Sequence, residues 1–321
     1  MVLNPTPQDT EQETRGIVEA VRRLRVETFG LILVLLLLGG ALSILSPYFL
    51  TSRNLFNILL QTAINTIVAV GQTMVILTAG IDLSVGSVVA LSSVILGSAL
   101  KAEIPIALSV TVGIAVGAAA GLINGVLIAY ARVPAFIVTL GMMSVARGLS
   151  LVITGGQSIY LFPERFRDFF GTGSLGPIPM PAVIALFTLC ATHFLLSETR
   201  FGRYVYAVGG NMEASRLSGI NVNSVLTRVY VLAGVTYALG GAVLTGRLNS
   251  AQPIAGMGYE LDAIAAVVIG GTSLYGGHGS VWGTLLGALI MGVLRNGLNL
   301  LNVSSYVQQV VIGVVIVLAV L

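Results

Sequence analysis

The chain has 321 residues, 55% of them hydrophobic and 9% charged, with a mean hydropathy of +0.96, whereas soluble domains carry roughly 25% charged residues. That balance excludes an ordinary water-soluble fold and makes membrane lipid the immediate surroundings. The net charge of +3 rests on 15 Arg and one Lys, and because these are distributed between apolar runs, nucleic acid is not an expected partner.

Residues 1–28 are polar and mixed in charge, contain Pro5 and Pro7, and end in the cluster Arg22, Arg23, Arg25. They read as a cytoplasmic N-terminal tail on the positive-inside rule. A signal peptide is the rival, with a basic stretch, an apolar core at 31–38 and a small-x-small site at 41–43 in order, but the polar region is too long and too acidic for one. Residues 29–321 form the transmembrane domain, with apolar runs near 29–45, 55–79, 81–100, 104–130, 133–156, 181–197, 225–246, 262–276, 281–301 and 306–321. Runs of about 17 to 25 residues suit helices that cross roughly 30 Å of hydrocarbon with every backbone group satisfied internally. The expected fold is therefore all-α, a polytopic bundle of about ten spans. The run 262–276 is short for a crossing and reads as a half-helix or re-entrant segment.

If crossings alternate, Arg132, Arg200, Arg203, Arg216 and Arg228 share the side of the tail, while Arg53, Lys101, Arg165, Arg167 and Arg247 lie opposite. The excess marks the cytoplasmic side. The segment 157–179 becomes the largest loop of the opposite face, where it either contacts another protein or caps the bundle.

Two glycine series recur every four residues, Gly113, Gly117, Gly121, Gly125 in one span and Gly279, Gly283, Gly287 in another. Each gives a side-chain-free stripe for close helix contact. They suggest two weakly related halves, with independent packing stripes as the alternative. Cys190, the one cysteine, lies within an apolar run as a small packing residue, and no disulfide is available.

The chain lacks a phosphate-cradling G-x-x-x-x-G-K-[ST] loop, since its only lysine, Lys101, stands in SALKAE; it cannot hydrolyse ATP in that way. His193 and His278 have no metal-ligand spacing with Cys or carboxylates, and His193 reads as a structural residue. The cluster GIDLSVGS at 80–87 places Asp82 and Ser84 between two apolar runs. Asp82 is either part of a kinked, cavity-lining gate or, with Ser84, an N-cap of the next helix; both can hold together. The stretch 251–277 combines Pro253 with several glycines, Glu260 and Asp262, a composition that lets helices break. Arg147 and Arg295 fall within spans and must pair, snorkel or face water. Asn65 and Gln72 in the second span, and Asn296 and Asn299 beside Arg295, are candidates for hydrogen-bonding a hydroxylated solute along a pathway, or for joining helices.

The most informative segment is the polar interruption 198–224, ETRFGRYVYAVGGNMEASRLSGINVN followed by Ser224. Residues 213–217 can form a short helix closed by Gly219, with Glu213 and Arg216 on one face by i, i+3 spacing. Such a helix is a lever for a partner in water; association with anionic lipid heads is the plainer alternative. Glu213-Ala214-Ser215 followed by Gly219 looks like the E-A-A-x-x-x-G signature of importer permeases driven by a separate ATPase.

With 54–87 (NLFNILLQTAINTIVAVGQTMVILTAGIDLSVGS), 199–222, 250–279 (SAQPIAGMGYELDAIAAVVIGGTSLYGGHG) and 296–306 (NGLNLLNVSSY), the chain resembles, over nearly its whole length, the permease subunits of ribose-type monosaccharide ABC importers. The resemblance implies a homodimeric inner-membrane permease served by a cytoplasmic ABC ATPase and a periplasmic sugar-binding protein. ATP and Mg would sit on the ATPase, with no cofactor on this chain. It further implies that Glu213, Ala214, Ser215, Arg216 and Gly219 form the element seated on the ATPase, Ser215 replacing the second alanine of the signature. Alternating access would then carry the sugar inward. The rival is an ion-coupled secondary sugar transporter, for which Asp82 is the candidate site.

Overall fold

The structure, a computed structural model, describes residues 29–320. The tail 1–28, with its signal-peptide alternative, and Leu321 lie outside the described residues. Thirteen α-helices are present among the described residues: α1 (Phe29–Leu45), α2 (Ser52–Leu77), α3 (Val85–Lys101), α4 (Ile106–Ala129), α5 (Ala135–Thr154), α6 (Glu164–Arg167), α7 (Met180–Glu198), α8 (Arg200–Gly210), α9 (Met212–Leu217), α10 (Val222–Leu248), α11 (Tyr259–Ile269), α12 (Val281–Leu300) and α13 (Ser305–Val320). Six of them, α2, α4, α5, α7, α10 and α12, are long and apolar enough to cross a membrane. Shorter apolar helices α1, α3, α13 and α11 fill the remaining predicted runs. The architecture is a polytopic helical bundle, as the composition requires.

Helices α2, α3 and α10 form most of the interior, and α3 buries 14 of its 17 residues. In α2 and α10, 78% of the most apolar window is buried, against 28% in α4, 22% in α5 and 33% in α7, which turn most of their surface outward. Lipid is as apolar as Leu, so close packing, and not expulsion from water, selects what lies inside. Small residues do this on α4: a Cβ on Gly117 would collide with the Gly234 carbonyl, and one on Gly121 with that of Tyr230, so α4 lies backbone against backbone on α10. The second stripe is shorter than expected. Gly283 and Gly287 press α12 onto α11 at Gly270 and Ala266, but Gly279 precedes the helix and packs on Thr272. Cys190 is exposed and not a packing residue; it lies on the outward face of α7.

The two halves share one plan. Helix α2, 26 residues, leads through an unwound stretch at 78–84 to the shorter α3; helix α10, 27 residues, leads through 249–258 to the short α11. At 1.5 Å per residue α11 extends only about 17 Å, half a crossing. In the first half α3 packs on α4 and α5, and in the second α11 packs on α12 and α13; α10 lies on α3 and α4, and α2 on α11 and α12. The halves are antiparallel to each other. Helix α2 ends beside α8, where Gly209 meets the Leu77 carbonyl, whereas α10 ends beneath the 157–179 loop, where Asn249 Oδ1 accepts from the Phe162 N–H at 3.0 Å.

That loop caps the bundle. It holds β1 (Ile159–Tyr160), paired antiparallel with β4 (Ser250–Ala251), then α6, a π turn at Asp168–Thr172, and a hairpin of β2 (Ser174–Leu175) and β3 (Ile178–Pro179). Phe162, Phe166 and Phe170 are all buried, with Phe166 between the other two.

Candidate coupling element and transport core

Helix α9 stands on the Arg-rich face and is held at both ends. Asn211, in extended conformation, is its N-cap, and its Oδ1 accepts from the Ala214 N–H at 2.8 Å. At the other end Ser218 is the C-cap and Gly219 follows at φ +84°, so the glycine stands one residue beyond the position expected for it. The N–H groups of Gly219 and Ile220 donate to the carbonyls of Arg216 and Ser215, both at 3.0 Å. This is the Schellman arrangement, which needs a left-handed residue that glycine supplies at low cost. Glu213 and Arg216 pair at 3.3 Å on the exposed face, as their spacing predicts. Ala214 is exposed, Ser215 is buried beneath the helix, and Leu217 is 81% exposed at its tip.

The segment 198–224 is more structured than a loop with one short helix. Helix α8 precedes α9, and Thr199 caps it by accepting from the Gly202 N–H at 3.2 Å. Val205, Val208 and Gly209 form its buried side. A readable signal was present in the apolar positions Phe201, Val205 and Val208 at helical spacing, masked by the intervening Arg and Tyr. The Tyr206 hydroxyl donates to the Gly279 carbonyl at 3.0 Å, and burial pushes its pKa up, which keeps the proton on the donor. The Leu77 carbonyl accepts from the Gly277 N–H at 2.9 Å. Thus α8 and α9 are tied to the end of α2 and to the loop between α11 and α12.

Beyond Leu77 the chain turns inward to Asp82, which is 1% exposed. Its Oδ1 accepts from the Ser84 N–H at 2.8 Å and the Ser84 hydroxyl at 2.6 Å. Ser84 occupies the N-cap position of α3 but makes no side-chain cap; its hydroxyl is turned to Asp82 and accepts from Asn124 Nδ2 at 3.2 Å. The Thr139 hydroxyl of α5 donates to the Ile81 carbonyl at 3.2 Å. Gln72 joins from α2, its Oε1 accepting from the Tyr237 hydroxyl at 2.9 Å. Among the described residues, Gln72 Nε2, Asn124 Oδ1 and the Tyr230 hydroxyl are buried without a partner. Gln72, Asp82 and Ser84 therefore belong to one buried polar core. Asn124, Tyr230 and Tyr237, which complete it, escaped the sequence reading; a tyrosine or asparagine in mid-span was the available signal.

The other candidates lie apart. Asn65 is half-buried on α2 and makes no side-chain hydrogen bond among the described residues. Asn296 exchanges two amide hydrogen bonds with Asn54, at 2.9 and 2.8 Å. Asn299 is exposed and accepts from Gln308 of α13 at 2.8 Å. The two intramembrane arginines are partnered: Arg295 pairs with Asp262 at 2.6 Å, although its Nε is buried without a hydrogen bond among the described residues, and Arg147 donates to the carbonyls of Pro253 and Ala255, both at 2.8 Å. Arg147 thereby ties α5 to the unwound stretch before α11. His193 packs edge-on against Trp282 and shares a 3.2 Å hydrogen bond with Ser197, a structural placement.

Residues 54–320 match the family described as branched-chain amino acid transport system / permease component. The chain is 52% identical to the ribose import permease protein RbsC of Escherichia coli K12 over 90% of its own length and 91% of that protein's. It is 49% identical to the ribose import permease protein RbsC of Bacillus subtilis 168, covering 92% of each, and 40% identical to the D-allose transport system permease protein AlsC of Escherichia coli K12, covering 91% and 89%. No solved structure matches the chain. With the family match running from the start of α2 to the end of α13, this chain belongs to that family of transport permeases and is a ribose-type ABC importer permease.

Proposed function

We propose that this chain is the membrane-spanning subunit of an ATP-driven importer that passes a monosaccharide, ribose or a similar sugar, from a periplasmic binding protein to the cytoplasm by alternating access. Two copies would form the conduit in the bacterial inner membrane, with the N-terminal tail in the cytoplasm, and a cytoplasmic ABC ATPase would bind and hydrolyse ATP with Mg. The observation that carries this reading is α9: a capped, exposed helix with an unpaired apolar tip at Leu217, tied through α8 to the end of α2 and to the loop between α11 and α12. Relatives of this chain are named for ribose import and D-allose transport, which supports a monosaccharide cargo.

In the proposed cycle the ATPase displaces α9, and the motion reaches the end of α2 and the 270–280 loop through α8. The unwound stretches 78–84 and 249–258 absorb the change while the long helices α2 and α10 remain straight. A shift between inward and outward states follows only from ATP and loaded binding protein favouring different states. Pathway roles for Asn65, Gln72, Asp82, Ser84, Asn296 and Asn299 remain part of this proposal. Gln72, Asp82 and Ser84 have the stronger support, because the core they form retains unpartnered polar atoms.

The test is reconstitution in proteoliposomes with and without the ATPase and binding protein. Uphill ribose uptake that requires both partners and is stopped by vanadate supports the proposal. Uphill uptake by the permease alone on an ion gradient would support a secondary transporter built on Asp82 and overturn it.

A further inference from the structure

A cavity of about 400 Å³ opens beside α9 on the Arg-rich face. Its wall includes the helix break at Thr78 to Gly80, the α4–α5 connection with Arg132, the α9 residue Arg216, and Asn223 and Tyr230 of α10. No carboxylate lines it among the described residues. Arg132 is exposed and forms no ion pair among the described residues, whereas Arg216 has only the surface pair with Glu213. The Tyr230 side chain is 1% exposed and its hydroxyl has no hydrogen-bond partner among the described residues, although a buried hydroxyl left unpaired is costly. That hydroxyl lies close over Gly80, 2.6 Å from where a Cβ would be, so the glycine makes room for the hydroxyl itself.

From these features we infer that the cavity binds a small phosphate-bearing ligand, with Arg132 and Arg216 holding the phosphate oxygens and the Tyr230 hydroxyl donating to the ligand from the wall. Guanidinium groups match phosphate geometry and form strong charge-assisted hydrogen bonds. The volume suits a phosphorylated monosaccharide or the headgroup of an anionic phospholipid, and either presents the same chemistry. Binding draws Arg216 from Glu213 and wedges α9 against the break at 78–80. On the reading of α9 as the force-receiving helix, a phosphorylated sugar made from the imported one would restrain its own supply. The consuming reaction is then a kinase acting on the delivered sugar.

Binding is tested on the full chain in nanodiscs, without ATPase or binding protein, so that its outcome is independent of the coupling reading. Inorganic phosphate and a pentose 5-phosphate are titrated by ³¹P line broadening against the unphosphorylated pentose, and bound lipid is measured by native mass spectrometry. The expected result is saturable binding of the phosphates, weakened about tenfold or more by Arg132→Gln and Tyr230→Phe, with no binding of the plain pentose to the cavity. Retention of an anionic phospholipid that Arg132→Gln releases, with no soluble phosphate bound, supports the same site with lipid as the source. Because Arg132 is exposed, its substitution keeps the test valid if Tyr230→Phe fails to fold. Failure to bind any phosphate-bearing species, or equal binding by folded Arg132→Gln protein, overturns the inference. If binding holds but internal pentose phosphate leaves ATP-driven uptake unchanged, the site stands and its control of α9 is overturned.

Discussion

Gly86 and Gly256 meet where the two interrupted helices begin, so close that a Cβ on Gly86 would enter the Gly256 carbonyl and approach Glu260 Oε2 to 2.8 Å. The obstacle is mainly backbone and cannot swing aside. Gly86→Ala should therefore destabilise the fold toward the upper end of the about 1–3 kcal/mol typical of overpacking. Gly141→Ala is the counterpart on α5, where an added Cβ meets nothing within 4 Å; it should stabilise by roughly 0.5–1 kcal/mol, as a glycine in mid-helix gives way to alanine. Thermal unfolding in detergent should move in opposite directions for the two variants, and equal shifts would refute the proposed contact between the half-helices.

The ion pair of Asp262 and Arg295 joins α11 to α12, with the Asp262 side chain 8% exposed and that of Arg295 39% exposed. Removing one partner strands the more buried charge. Arg295→Met should cost about 2–3 kcal/mol, below the 3–5 of a fully buried pair because Arg295 is partly exposed. Asp262→Asn combined with Arg295→Met should recover part of the loss. A double-mutant cycle on unfolding midpoints reads the coupling directly; strictly additive effects would show that the pair holds nothing together.

At α9 stability and coupling can be separated. Gly219 has φ +84° but open space around it, so Gly219→Ala meets only the backbone penalty, about 1 kcal/mol. Asn211→Ala removes the N-cap at a similar cost of about 1 kcal/mol. The transmembrane bundle does not depend on either. Both variants should reach the membrane at wild-type levels, yet show reduced ATPase assembly and ATP-driven uptake, with the greatest defect in the double variant. Unchanged assembly in the double variant would contradict the role given to this helix.

The ten apolar runs were legible because the bilayer imposes length and apolarity on each helix separately. The broken helices were legible from Pro253, the glycines and the shortness of 262–276. Helix α8 was not, since Arg200, Arg203 and Tyr204 dilute the apolar side that Val205 and Val208 bury against the end of α2. Asp82 stood out as a charge out of place, but its neighbours Asn124 and Tyr237 are 42 and 155 residues away in sequence. Only the crossing of α4 and α10 brings them together, and no periodicity within one segment encodes that crossing. Asn296 illustrates the converse: a polar residue in a span suggests a pathway, whereas its amide is already shared with Asn54, 242 positions earlier.

Asp82 distinguishes the importer from its ion-coupled rival. Its carboxylate serves Ser84 as an acceptor for both the backbone N–H and the hydroxyl, and an asparagine oxygen in the same position can accept the same two bonds. Asp82→Asn should then fold and retain ATP-driven uptake within roughly a few-fold of wild type, because geometry and not charge is what the importer needs at this point. Asp82→Ala leaves two buried donors unpaired, each worth about 1–3 kcal/mol, and should lower both the unfolding midpoint and uptake severely. An ion-coupled transporter predicts the reverse ordering in one respect: Asp82→Asn, although well folded, would abolish uphill uptake, because a neutral amide neither exchanges a proton nor balances a cation. Uptake by Asp82→Asn in vesicles carrying the ATPase and the binding protein, compared at fixed pH with its unfolding midpoint, therefore separates a structural acceptor from a coupling charge.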